Sequence, residues 1–320
     1  MANTRILLDP WPAEYESPIQ IEDAEEDGAA AAVDTSVEDA AWKAVGPSLK
    51  ERPETIYFVD GVRRVEARII LDDGSGRLIR GLFGSVGVGA VKVQNNKAEF
   101  EEIRILRNII SGSGVAPETR RVGVGNGEIT FLPASVEDSD PAAPLRRLQN
   151  VMRDEEAMLA QTLAATADCV FADGPLSYFV LTEIPAIGIV KRLFRPYLPI
   201  EQFGLVGRLK AGERTPIFSI DDGKYDRYSW YLRVAEPRAM DHSLAGMLRL
   251  EVRKGLGLAK AIELADMSAA CIPAFVAESF RDPRSPQNLL PVGALERELR
   301  HRLGDPMAIR RAIESNLYGK

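Results

Sequence analysis

Two Asp-Gly steps arrive directly after short apolar runs. Ile56-Tyr57-Phe58-Val59 leads into Asp60-Gly61, and Cys169-Val170-Phe171-Ala172 leads into Asp173-Gly174-Pro175-Leu176. Four apolar, β-branched or aromatic residues bounded by a turn signal read as a buried strand. Each aspartate is therefore expected where a strand opens at its end, with glycine letting the backbone turn away. Carboxylates held at neighbouring strand ends suit a hard divalent cation, and metal-assisted phosphodiester hydrolysis is the chemistry they offer. Asp-Gly is also a common plain turn, so the reading depends on what converges with the pair. A third acid is available. Leu145, Leu148, Met152, Leu159 and Leu163 fall on one stripe of an expected helix over 145–165, and Glu155 and Glu156 both lie at its edge. One of them can face the sheet. Three or four carboxylates can hold two ions about 4 Å apart, activating a water and stabilising the leaving oxygen at phosphorus.

Other side chains fit around such a site. Lys191 closes an apolar run, either as a surface lysine or as an ammonium set against a scissile phosphate or an attacking water. Arg63 and Arg64 follow Asp60-Gly61, and strand alternation sends only one of them to the cleft. Tyr228, Trp230 and Tyr231 alternate with Arg227 and Arg233 nearby, aromatic surfaces beside cations of the kind single strands stack on. Trp230 reads as core. With only His242 and His301 in the chain, no Ser-His-Asp or Cys-His arrangement can be argued, which disfavours nucleophilic catalysis.

The elements that must position these residues read as strands over Thr55–Val59, Val62–Leu71 and Leu78–Val93, the last two joined by a hairpin at Asp72-Asp73-Gly74-Ser75-Gly76. Gly81, Gly84, Gly87 and Gly89 lack the order of a phosphate loop and read as bulges or sites of close packing. Residues 111–144 read as loops with one short strand at Glu128–Leu132. After the helix and the Cys169–Ala172 strand come a long apolar run, Tyr178–Val190, and strands at Pro216–Ile220, Ser229–Val234 and Met247–Glu251. Helices are expected at Leu258–Met267, continuing toward Phe275, then at Val292–Leu303 and Met307–Leu317, with Asp305-Pro306 starting the last. This order suits a mixed sheet flanked by helices, the first strand beside a later one.

Charge is distributed unevenly. Of the formal net charge of −7, residues 1–50 hold −8, from eleven acidic against three basic residues, which leaves +1 for the remainder. The body does not repel phosphate as a whole, nor does it capture DNA broadly by charge. The acidic stretch reads as an irregular arm, 1–52, partly disordered or docking a partner, with a short helix near Val37–Val45, ahead of one folded body over 53–320. No run is long and apolar enough to span a membrane. Two isolated cysteines and no apolar leader point to a reducing, cytoplasmic setting.

Taken together, the chain resembles the NurA nucleases, which act with the HerA hexameric translocase in DNA end resection. The resemblance covers about residues 54–305 and rests on motifs in shared order. These are Tyr57-Phe58-Val59-Asp60-Gly61, Asp173-Gly174-Pro175-Leu176, Gly188-Ile189-Val190-Lys191-Arg192, Tyr228-Ser229-Trp230-Tyr231-Leu232-Arg233 and Asn288-Leu289-Leu290-Pro291. It implies an α/β, RNase H-like core and hydrolysis of DNA with Mn²⁺ or Mg²⁺, from 5′ ends and within single strands. It also implies a homodimer seated on a HerA-type ring. Asp60 and Asp173 match the first and last core acids, and Met152-Arg153 ahead of Glu156 favours Glu156 over Glu155 as the helix acid. Family members often carry a tyrosine and, eight residues on, a histidine; Asn288 and Glu296 stand at the corresponding positions. Glu296 can replace the histidine as a metal ligand or be a solvated helix residue. The expected set is thus Asp60, Glu156, Asp173 and Glu296 on two ions, Lys191 in catalysis, and Arg63, Arg192, Arg233 and Tyr231 on DNA. A catalytically degenerate dimeric adaptor on the motor is the alternative, and a metal-dependent hydrolase of nucleotides or RNA a third reading.

Overall fold

The computed structural model describes residues 5–8, 31–48, 53–72, 74, 76–193, 197–238, 241–278, 280 and 282–319. Its strands are β1 (Arg5–Leu8), β2 (Ala32–Asp34), β3 (Thr55–Asp72), β4 (Leu78–Gln94), β5 (Lys97–Ser111), β6 (Arg120–Val124), β7 (Gly127–Ser135), β8 (Cys169–Asp173), β9 (Ala186–Val190), β10 (Phe218–Asp221), β11 (Arg227–Arg233) and β12 (Met247–Arg253). Among the described residues five α-helices accompany them: α1 (Ala143–Leu163), α2 (Ile200–Val206), α3 (Leu258–Cys271), α4 (Leu290–Arg302) and α5 (Pro306–Tyr318).

The strands run across one sheet in the order β2-β10-β11-β12-β9-β8-β3-β4-β5-β7-β6, with β1 also on β3. At its centre β3, β4 and β5 form an antiparallel meander, while β8 and β9 run parallel to β3. That is the RNase H-like arrangement, a mixed sheet with helices on both faces. The β3 side chains alternate across it. Tyr57 and Val59 pack with Leu148, Met152 and Leu159 of α1; Ile56, Phe58 and Val62 pack with Leu264 of α3 and Leu295 and Leu299 of α4. Fully burying each such leucine stabilises by about 1.5–3 kcal/mol. α4 is gripped at its far end, where Arg64 Nη1 and Arg107 Nη2 donate to the carbonyls of Gly304 and Leu303 at 2.8 and 2.9 Å. Both arginines also meet the buried Glu66.

Several expectations change. Thr55–Asp72 is one continuous strand, so Asp60-Gly61 is not a turn; it lies mid-strand, and irregularity comes later, as a register shift between Val65 and Ala67. The 37–45 segment is not helical. Instead Ala32–Asp34 pairs with β10, and Val45 bridges Arg214. Glu38 forks the buried Arg214 at 2.7 and 2.8 Å, so the described part of the acidic stretch is tied into the sheet edge. The acids from Asp9 to Asp27 lie outside the described residues. The 178–190 run splits into a loop and β9, and β5 and α2 were absent from the sequence reading. Asp305 does cap α5, accepting from Ala308 N at 2.7 Å. Among the described residues no helix is long and apolar enough to cross a membrane.

Candidate metal centre

Register brings the two Asp-Gly aspartates together. Val59 of β3 pairs with Ala172 of β8 in parallel, so Asp60 and Asp173 are the next residues along on adjacent strands. Both follow the alternation toward the α3/α4 face, where α4 presents Glu296. Ligand atoms of Asp60, Asp173 and Glu296 all lie within 4.8 Å of one another. Glu296 is therefore part of the cluster rather than a solvated helix residue.

Glu156 stands outside that trio, and strand alternation explains why. It approaches β3 from the α1 face, beneath Gly61 rather than beside Asp60. A Cβ on Gly61 would meet Glu156 Oε1 at 2.5 Å and Met152 Cγ at 2.8 Å. The glycine is needed here for close approach, not for a turn. Glu156 Oε2 accepts from Arg153 Nη1 at 3.0 Å, and the same guanidinium nitrogen donates to the Asp173 carbonyl at 2.9 Å. Glu155 points away, toward Arg104. A cleft lined by Arg153, Glu156, Asp173 and Tyr178 opens beside the strand ends.

The electrostatics converge on Asp60, which is 6% exposed. Burial first, then the charges of Asp173 and Glu156, raise its pKa well above the ordinary carboxylate value, with Lys191 pulling the other way. Its Oδ2 is buried and accepts no hydrogen bond among the described residues. A buried, unpaired carboxylate oxygen facing other acids is a costly arrangement unless a cation completes it. The all-oxygen donor set suits a hard divalent ion such as Mg²⁺ or Mn²⁺. Asp60, Asp173 and Glu296 thus fit a metal, with Glu156 alongside.

A polar chain that sequence reading missed runs from one end of the cluster to the other. Lys191 Nζ donates to Asp173 Oδ2 and to Asn288 Oδ1, both at 2.7 Å. Asn288 Nδ2 donates to Asp282 Oδ2 at 2.6 Å. Arg284 then joins Asp282 to Glu296, its two terminal nitrogens each 2.7 Å from a Glu296 oxygen. Hydrogen bonds from Arg284, opposed by burial and helped by Asn288, hold the Asp282 carboxyl well below its usual range. Asp282 and Arg284 lie in an irregular stretch, and no spacing rule links them to Glu296.

The loop after Asp173 is clamped from below. Gly174, at φ +114°, donates its N–H to Ile189 O at 2.9 Å. The loop lies over Gly188, where a Cβ would come 2.8 Å from Gly174 O. Leu176 N donates to Tyr225 Oη at 2.6 Å and to Glu251 Oε1 at 3.0 Å. Burial opposes ionisation of Glu251, but Arg249 and Arg227 beside it hold its pKa below the ordinary value.

The expected DNA contacts fare unevenly. Arg233 and Tyr231 are corrected: they are 1% and 0% exposed, and closed-off side chains cannot touch a nucleic acid. Arg233 donates to the carbonyls of Ala245 and Ser243, and Tyr231 stacks on Phe218. β11 is covered on both faces, so its alternation is between two cores rather than core and solvent. Arg63 is half-buried with Nε on Gln149 Oε1 at 2.5 Å, and Arg192 is exposed one residue beyond Lys191.

No family model and no curated protein matches the sequence. Among solved structures, the NurA nuclease from Sulfolobus solfataricus superposes with a TM-score of 0.51 at 13% identity, over 87% of this chain and 87% of that one. The catalytic domain of human endonuclease V gives a TM-score of 0.38 at 15% identity over 80% of this chain and 85% of its own. Endonuclease V from Bacillus subtilis gives 0.36 at 14%, over 80% and 86%. At these identities the likeness is one of architecture. The chain has a NurA-like, RNase H-like fold, with Asp60, Asp173 and Glu296 gathered where β8 ends beside the middle of β3.

Proposed function

We propose that the chain is a divalent-metal-dependent deoxyribonuclease acting on single-stranded or frayed DNA ends, as a homodimer on a HerA-type hexameric translocase. The observation that carries this reading is the convergence of Asp173 and Glu296 on Asp60, whose Oδ2 is buried and unpaired among the described residues. A bound Mn²⁺ or Mg²⁺ pair supplies Lewis acidity and lowers the pKa of a water for in-line attack at phosphorus.

The protein's share is to hold that chemistry in place. Asp60, Asp173 and Glu296 are the ligands, and Glu156 lies across β3 to orient or accept a proton from a water. Lys191, fixed between Asp173 and Asn288, keeps a positive charge beside the acids where phosphate charge develops. Arg192 and Arg63 are the remaining cations for the incoming strand. The near-neutral body suits a division of labour in which a ring motor holds the DNA and this chain cuts it. Exonuclease action from 5′ ends and single-strand endonuclease action both belong to this proposal.

The degenerate-adaptor reading has one observation in its favour. Asp173 and Glu296 are already neutralised by the chain's own Lys191 and Arg284. One assay separates the two. Full-length protein is offered single-stranded DNA, duplex DNA, RNA and free nucleotides with Mn²⁺, alone and with a HerA-type ring. Metal-dependent DNA cleavage that falls about 100-fold or more in Asp60→Asn and Asp173→Asn is expected. Cleavage indifferent to both substitutions, or absent throughout, would sink the nuclease assignment.

A further inference from the structure

Glu296 is the one member of the acidic trio held by a side chain that is itself half in solvent. Arg284 grips both its oxygens, yet the arginine side chain is 52% exposed, against 15% for Glu296. The two ends of this contact are anchored very differently. Glu296 rides on α4, which is packed through Leu295 and Leu299 and tied at its C-terminus by Arg64 and Arg107. Arg284 sits in a turn and has a second carboxylate of its own. Its Nε and Nη2 donate to Asp282 at 3.1 and 2.9 Å, and its backbone N–H does so at 2.9 Å. Letting go of Glu296 would leave Arg284 still paired, so the fork can swing without stranding a charge.

Resting on the nuclease reading above, we propose that Arg284 is a displaceable counter-cation. It stands in for a divalent ion at Glu296 and ties uptake of that ion to arrival of the DNA backbone. A guanidinium fork fits phosphate as well as carboxylate. A phosphate entering at the exposed side of Arg284 draws the fork off Glu296, and the freed carboxylate joins Asp60 and Asp173 in holding metal. Substrate and ion then favour each other's binding by the same factor, as linkage requires. The free enzyme keeps Asp173 and Glu296 neutralised and does not hold a fully charged cutting site without DNA.

The test is a Mn²⁺ titration followed by electron paramagnetic resonance of the free ion, needing no turnover. Full-length wild type and Arg284→Gln are each titrated with and without a phosphorothioate oligodeoxythymidylate that resists cleavage. In wild type the oligonucleotide is expected to tighten the weaker Mn²⁺ site about tenfold. In Arg284→Gln that site is already tight without DNA, and the oligonucleotide adds little. Arg284→Lys, which keeps charge but loses the fork, should fall between them. Equal Mn²⁺ affinity in wild type and Arg284→Gln, each with folded circular dichroism, overturns the counter-cation and leaves the nuclease reading standing. Failure of wild type to bind Mn²⁺, or binding untouched by Asp60→Asn, overturns the nuclease reading and this proposal with it.

Discussion

Asp60 is surrounded by like charge and shielded from water, and burial followed by Asp173 and Glu156 is what raises its pKa. The consequence for stability has a definite sign. With the folded-state pKa above the unfolded one, the native chain binds more protons in the interval between them, so stability falls as pH rises through that interval. In EDTA, Asp60→Asn should therefore melt a few degrees above wild type at neutral pH and lose the advantage in acid; Mn²⁺ should raise wild type more than the variant. Melting curves across pH, with and without the ion, check this. A wild type more stable than Asp60→Asn in EDTA at neutral pH would refute the electrostatic account. At this scale the acids were legible from their types and their place after apolar runs. The role of Gly61 was not, because a glycine that admits a neighbour and a glycine that turns the chain look alike in sequence. Nor was the burial of Arg233 and Tyr231, since alternation does not say whether the second face is wet.

The elements act as mounts of different stiffness. β3 lies between α1 and α4 and carries Asp60 toward one and Gly61 toward the other. Replacing Gly61 by alanine drives a methyl into Glu156 and Met152. It should destabilise the chain by about 1–3 kcal/mol in urea unfolding and lower kcat more than it changes KM, because Glu156 is pushed from its place. Unchanged stability and kinetics would mean that α1 yields freely and that Glu156 has no positional role. The α1 stripe was readable because its leucines repeat at three- and four-residue steps. β5 was harder to read, because Glu99, Glu101, Glu102 and Arg104 break up its apolar residues, and only pairing with β4 makes it a strand.

Over the whole molecule, the acidic N-terminal stretch divides into pieces of different character. Its described part adds β2 to the far edge of the sheet and sends Glu38 to Arg214, which is 1% exposed and shared with Asp266. Glu38→Ala leaves that buried guanidinium with Asp266 and the Thr215 carbonyl and should cost about 2–3 kcal/mol; a chain beginning at Pro53 should lose more. Denaturant unfolding of both measures it, and wild-type stability in either would show the stretch to be a detachable tail. Ring-binding experiments on this segment are therefore best made by neutralising acids between Asp9 and Asp27 rather than by truncation.

Local sequence alone determined which residues are strand or helix formers, which carboxylates follow buried runs, and that the body is nearly neutral, because propensity, periodicity and charge are properties of neighbours along the chain. Tertiary structure decided which acids meet. Parallel register set Asp60 beside Asp173, pleating turned both toward Glu296 of α4 and left Glu156 of α1 on the opposite face, and an irregular segment more than a hundred residues beyond Asp173 supplied Arg284. Those are contacts between distant parts of the chain, and their geometry exists only once the sheet and its helices have packed.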